Sequence, residues 1–150
     1  MKTFAHLADL AALEGQEIGT SDWVAVDQAR IDLFARATGD AQWIHVDPVR
    51  AAAGPFGTTV AHGFLTLSLL PELFAEAFSI ADVRMGLNYG LDRVRFPSPV
   101  PVDSRLRAVC LLKTFEAIAG GAQLTITVTI EREGGTKPAC VAEWVTRHFV

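Results

Sequence analysis

Between Arg50 and Glu72 the chain carries no charged residue, and from Gly63 to Leu70 it reads Gly-Phe-Leu-Thr-Leu-Ser-Leu-Leu before meeting Pro71. A helix from His62 to about Phe78 would be apolar on nearly every face for its first two turns, and such a helix has to be wrapped by protein. A membrane is the other possible wrapper, but the uncharged stretch also holds Gly54, Pro55, Gly57, His62, Gly63 and Ser68, which makes it a buried segment and not a span. Pro71 has no N–H to donate and its ring crowds the Leu67 carbonyl, so the pattern predicts a kink there, with Glu72 and Glu76 turned to water beyond it.

The material to wrap that helix follows it in sequence. Residues 84–96, 105–116, 122–132 and 137–149 alternate apolar and polar, most plainly in Leu124-Thr125-Ile126-Thr127-Val128-Thr129-Ile130, as half-buried antiparallel strands do. Pro97 to Pro101, Gly120-Gly121 and Gly134-Gly135 supply the turns. Ahead of the helix we read a short amphipathic helix over residues 3–12, a strand over 18–26, and a helix capped by Asp27 that runs to about Thr38 and stops at Gly39. A loop from Asp40 to Asp47, a short helix opened by Pro48 and a Gly54 to Gly57 turn complete the first half. One buried helix followed by four long strands, with a first strand from 18–26, predicts an α+β hot-dog fold, a curved antiparallel sheet around a central helix; other α+β topologies share this order. A chain of 150 residues suits one domain, taken as 1–150.

Half of the residues are hydrophobic and the formal net charge is -4, so no basic surface for nucleic acid is expected. The apolar surplus exceeds what a small monomer needs and points to a greasy ligand tunnel or a subunit interface. The first residues lack the apolar core and cleavage site of a secretory signal, so the reading is a cytoplasmic protein without a membrane partner. Cys110 and Cys140 lie in strand-like apolar sequence without metal-binding spacing and read as core residues.

The segment Gly39-Asp40-Ala41-Gln42-Trp43-Ile44-His45-Val46-Asp47-Pro48, with Gly57-Thr58-Thr59-Val60-Ala61-His62-Gly63 downstream, resembles the signature of the MaoC-like dehydratases, a family that includes the R-specific enoyl-CoA hydratases. Gln-Trp-Ile-His followed by Gly54-Pro55-Phe56-Gly57 is most similar to the branch related to nodulation protein N. The resemblance implies a hot-dog homodimer and a catalytic pair, Asp40 and His45. It also implies an acyl thioester substrate carried on coenzyme A or an acyl carrier protein, with no cofactor beyond that carrier and no metal. Two departures stand out. Gln42-Trp43 replaces the usual Asn-Pro, and the bulk of Trp43 is expected to narrow or reshape the acyl pocket. Asp103-Ser104 replaces a Gly-Asp turn, which aspartate also tolerates.

The chemistry accounts for these residue types. Hydrating an enoyl thioester needs a base for the water and an acid for the α-carbon; an imidazole exchanges protons near neutrality while a carboxylate orients the same water. One water supplying both hydroxyl and proton predicts addition from one face, and two groups sharing a water are expected to titrate as one unit. Charge developing on the thioester oxygen would be met by free N–H groups at the start of the apolar helix, near His62 and Gly63, where glycine leaves an open approach. Gln42, Trp43 and Ser68 complete the substrate-binding candidates, although a back-bond to its own helix suits Ser68 better and a structural hydrogen bond suits His62 better. Glu143 and His148 repeat the Asp40 to His45 spacing, but in a strand such residues point to opposite faces. Asn88 and Tyr89 read as strand packing, and Arg93, Arg95, Arg105 and Arg107 as a solvated strand face, with contact to the phosphates of coenzyme A as the alternative. A hot-dog thioesterase and a non-catalytic acyl- or lipid-binding module are the alternative functions; the thioesterase would want an acid on the central helix, where Glu72 and Glu76 come only after the proline.

Overall fold

In a computed structural model that describes residues 1–150, the apolar segment forms two consecutive helices, α4 (Gly63–Ser68) and α5 (Leu70–Ala77). The break falls at Leu69, whose N–H is shared between the Leu65 and Thr66 carbonyls at 3.2 and 3.3 Å. Pro71 sits at the second position of α5, where its missing N–H costs little. Glu72 and Glu76 are exposed, as the pattern requires.

Before these helices come β1 (Lys2–Phe4), a 3₁₀ helix (Leu7–Leu13), β2 (Glu17–Thr20), β3 (Val24–Val26), α1 (Gln28–Thr38), α2 (Trp43–Val46) and α3 (Pro48–Ala52); after them come β4 (Phe78–Ile80), β5 (Met85–Arg95), β6 (Ser104–Ile118), β7 (Gly121–Arg132) and β8 (Cys140–Phe149). Three sequence readings are corrected here. Residues 3–12 are not an amphipathic α-helix: Lys2–Phe4 pair in parallel with Phe78–Ile80, and only Leu7 and Leu10 of the following 3₁₀ turn are buried. The strand expected over 18–26 is two strands, both paired with β6 and separated where Ser21 turns inward to hydrogen-bond the Ala108 N–H at 2.9 Å. The 40–47 loop contains the single turn of α2.

The main sheet runs β2, β6, β7, β8, β5, with β3 continuing along β6. The β6–β7 pairing shifts register between Leu112 and Thr114, one of several irregularities of the kind that bend a strand. Along β7 the alternation is strict: Ala122, Leu124, Ile126, Val128 and Ile130 are at most 1% exposed and point at the helices. They join Leu65, Leu70, Leu73 and Ala77 in one core cluster. Each aliphatic side chain of this size buried there contributes roughly 1.5–3 kcal/mol of transfer free energy. Asp103 adopts φ 64, so the turn that glycine favours is made by aspartate. Cys110 and Cys140 are free and buried, with thiols pushed up by burial to about 12 and about 11, which leaves them inert.

The wrapping is incomplete on one side. Phe64 is 69% exposed, and Ser68, Pro71 and Ala75 continue the same helical stripe into solvent. The stripe lies beside β5, which pairs only with β8 and exposes Met85, Leu87, Tyr89 and Leu91. No helix is long and apolar enough to cross a membrane.

Candidate active site

Asp27 opens α1 by accepting the Arg30 N–H at 2.8 Å, and Gly39 closes it at φ 80, a left-handed conformation that suits glycine. That turn delivers Asp40 to the head of a short loop. Asp47 caps α3 through the Arg50 N–H at 3.0 Å, so the loop is fixed at its far end too. Between the caps, α2 swings His45 inward until it is 7% exposed.

His45 is held firmly. Its Nδ1–H donates to the Val60 carbonyl at 2.6 Å, and the Val60 N–H donates in turn to the Ile44 carbonyl at 3.0 Å. The ring proton therefore sits on Nδ1 and Nε2 is left bare. Gln28, on α1, binds the His45 carbonyl from its amide at 2.8 Å while its oxygen accepts the Thr59 hydroxyl at 2.6 Å. Gln28 and the Val60 carbonyl are the site residues that sequence reasoning missed. Nothing in their local sequence signals the role, because both act through contacts between segments far apart in the chain.

Asp40 remains exposed, and its carboxylate accepts only the Gln42 N–H, at 3.4 Å. One oxygen or nitrogen from each of Asp40, His45 and His62 lies within 4.8 Å of the others. The two imidazoles are stacked, with ring centroids 3.8 Å apart and planes inclined by 25°.

A cavity of about 330 Å³ adjoins His45, lined also by Ile44, Phe56, Val60, Gly63, Thr66 and Phe96. Gly63 opens α4 there, and a Cβ at this position would lie 3.1 Å from the Phe96 ring, so the glycine admits that ring. Trp43 does not line this cavity. It packs against Gly54, with the Arg50 guanidinium 4.5 Å from its ring, so its bulk, expected in a pocket, lies outside this cavity in the structure. Ser68 donates to the Phe64 carbonyl at 2.6 Å, the back-bond to its own helix, and faces away from the site. Gln42 begins α2 without a side-chain cap and is exposed. His62 is 2% exposed and also absent from the cavity wall.

A larger cavity, about 460 Å³, lies at the far end of α5 among Phe74, Phe78, Trp144 and His148, and no carboxylate lines it. His148 pairs with the Thr146 hydroxyl at 2.9 Å, while Glu143 binds Lys113 at 2.9 Å, so that pair is divided between the two faces of β8. Asn88 accepts the Trp144 indole N–H at 2.8 Å, and Tyr89 stays exposed under Arg147. Arg105 and Arg107 make surface ion pairs with Glu133 and Glu131.

A sheet wrapped on a helix, with a buried imidazole and a nearby carboxylate at the helix entrance, defines a hot-dog protein. The chain belongs to the MaoC-like domain family, whose model matches residues 9–133. It is 56% identical over 149 residues to 3-hydroxyacyl-thioester dehydratase Z of Mycobacterium tuberculosis H37Rv, covering 99% of both chains. It is 52% identical over 145 residues to Nodulation protein N of Rhizobium leguminosarum bv. viciae, covering 93% of this chain and 89% of that one. Among solved structures, a MaoC-like dehydratase from Rhodospirillum rubrum superposes with TM-score 0.76 at 20% identity, covering 96% of each chain. An unliganded R-hydratase from Pseudomonas aeruginosa gives 0.74 at 21% identity, over 97% of this chain and 86% of that one. At such identities the structural matches establish the hot-dog fold alone.

Burial pushes the His45 imidazole below its ordinary 6.5; His62 adds to the effect, and the Val60 carbonyl and the Asp40 charge oppose it. The folded protein therefore holds this proton less tightly than the unfolded chain does. The stability His45 contributes is complete above pH 6.5 and declines as acid forces a charge into the site. In a ¹H–¹⁵N titration His45 is expected to titrate below 6.5, and lower still in Asp40→Asn, where the opposing charge is gone. A midpoint at or above 6.5, or one raised by the substitution, contradicts this account of the site.

Proposed function

We propose that the chain is a 3-hydroxyacyl-thioester dehydratase, which in reverse is an R-specific enoyl-thioester hydratase, with Asp40 and His45 as its catalytic pair. The observation that carries the reading is the bare Nε2 of a buried, neutral His45 beside both a carboxylate and a cavity. The dehydratase with which it shares 56% identity along its whole length supports the reaction class.

In the hydration direction, water held between Asp40 and His45 loses a proton and its oxygen bonds to C3 of the enoyl thioester. The electron pair of the double bond moves toward the thioester carbonyl, and C2 takes a proton from the same pair of groups. One water supplying both the hydroxyl and the proton makes the addition syn. The developing enolate oxygen would be met by the N–H of Gly63 at the positive end of α4; in measured oxyanion holes such a donor is worth roughly 3–4 kcal/mol. The 330 Å³ cavity lined by Gly63 and His45 has room for the reacting end of the acyl group. No cofactor enters this reading, because coenzyme A or an acyl carrier protein arrives as part of the substrate, in the cytoplasm, with residues 1–150 acting as one domain. A thioesterase gains no support, since α4 carries no acid and the acids of α5 are turned to solvent.

We also propose that a second copy covers the open side. A long unpaired strand edge invites a partner, and an apolar helix stripe alongside it needs one. Met85, Leu87 and Tyr89 on β5 and Phe64 on α4 form that face.

Incubation with crotonyl-CoA should remove the conjugated enoyl-thioester absorbance without releasing thiol, and Asp40→Asn and His45→Gln should each lose most of that rate while melting like the unaltered protein. Thiol release identifies a thioesterase, and near-normal turnover in either variant removes the pair. Size-exclusion chromatography at micromolar concentration should show a dimer, and Leu87→Lys should shift it toward monomer; a monomeric unaltered protein would rule the interface out.

A further inference from the structure

We propose that His62 is a positioning residue that tethers Asp40 at working distance from His45, without touching the substrate. The inference rests on the reaction assigned above and concerns how its two groups are kept together.

His45 has anchors of its own, from Val60 and Gln28. Asp40 has almost none. Its N–H reaches the Thr38 hydroxyl at 3.5 Å, the next N–H, of Ala41, reaches only the Gly39 carbonyl, and its carboxylate accepts the Gln42 N–H. These bonds are local: the first reaches only the last residue of α1, two positions back and at 3.5 Å, and the other two span no more than two residues. The bond that joins Asp40 to the rest of the molecule runs from His62 Nε2–H to the Asp40 carbonyl, 2.9 Å, across 22 residues of sequence.

The His62 ring is itself clamped. One face stacks on His45, and the Phe34 ring of α1 lies 5.0 Å from it. His62 is not part of the cavity wall, and its Nδ1 is buried without a partner. A buried nitrogen left unpaired is costly, so the orientation is maintained by what the opposite nitrogen does. His62 thus connects the start of the central helix to the backbone that carries the Asp40 carboxylate, and its ring stacks on His45. A displacement of about 1 Å in a catalytic group can cost on the order of 100-fold in rate, which gives such a tether its importance.

Two substitutions separate the parts. His62→Phe keeps the ring and removes the donor; His62→Gln keeps an N–H donor and removes the ring. Hydration of crotonyl-CoA by the unaltered protein, and its loss in Asp40→Asn, establish the reaction first, so that failure there is failure of the functional reading and not of the tether. His62→Phe is then expected to lower kcat on the order of 10–100-fold with little change in KM, and His62→Gln to retain the larger share of kcat. Equal or better turnover by the Phe variant overturns the proposal. If melting shows that the Phe variant has not folded, a folded Gln variant as inactive as Asp40→Asn overturns it instead. Independently of activity, the ¹⁵N spectrum of the unaltered protein at neutral pH should show His62 protonated at Nε2; a bare Nε2 leaves no donor for the Asp40 carbonyl and sinks the tether outright.

Discussion

The helix from Gly63 to Ala77 has little to offer water before its proline, and most of the architecture answers the need to enclose it. Strands β6, β7 and β8 turn one apolar face each toward it, and the 3₁₀ turn near the N-terminus closes part of the remaining side with Leu7 and Leu10. Enclosure has a chemical consequence. The entrance to the helix, residues 59–62, is itself buried, so its polar groups must find partners inside the protein. They find them in the loop that carries Asp40 and His45: Val60 takes the His45 ring and the Ile44 carbonyl, Thr59 takes Gln28, and His62 takes the Asp40 carbonyl. The same hydrophobic requirement that builds the core therefore also docks the loop.

The environments of the two proposed reacting groups differ in a useful way. The imidazole is buried and kept neutral, with its proton committed to Val60, while the carboxylate stays exposed to water. A buried imidazole and an exposed carboxylate beside it can divide the work of a proton transfer. A carboxylate next to water can also receive the water that the reaction consumes. The aromatic Trp43, which looked like part of the pocket, stiffens the loop from outside by packing on Gly54 and Arg50.

Much of this was legible in the residues. The alternation Leu124 to Ile130, the caps at Asp27 and Gly39 and the proline break all follow from short-range rules of periodicity and backbone geometry, and the structure follows them closely. The loop motif could be recognised because its chemistry-bearing residues are adjacent in sequence. What was illegible depends on contacts between distant segments. Lys2–Phe4 becomes a strand only because Phe78–Ile80 offers an edge, and the split between β2 and β3 exists because Ser21 finds a partner on β6. Gln28 looks like an ordinary first-turn helix residue, and no pattern in the chain says that its amide spans α1, the loop and Thr59. The uncharged run signals that the helix needs cover, but nothing in it singles out the stripe through Phe64 as the part that this chain leaves exposed.

The central claim is that a single water is handled between Asp40 and His45 on one face of the substrate. Hydrating crotonyl-CoA in D₂O and reading the relative configuration at C2 and C3 of the product by the vicinal proton coupling tests it most directly. The account predicts deuterium and hydroxyl added to the same face. Anti addition would require a proton donor on the opposite side of the acyl chain, and would show that these two side chains do not share the water.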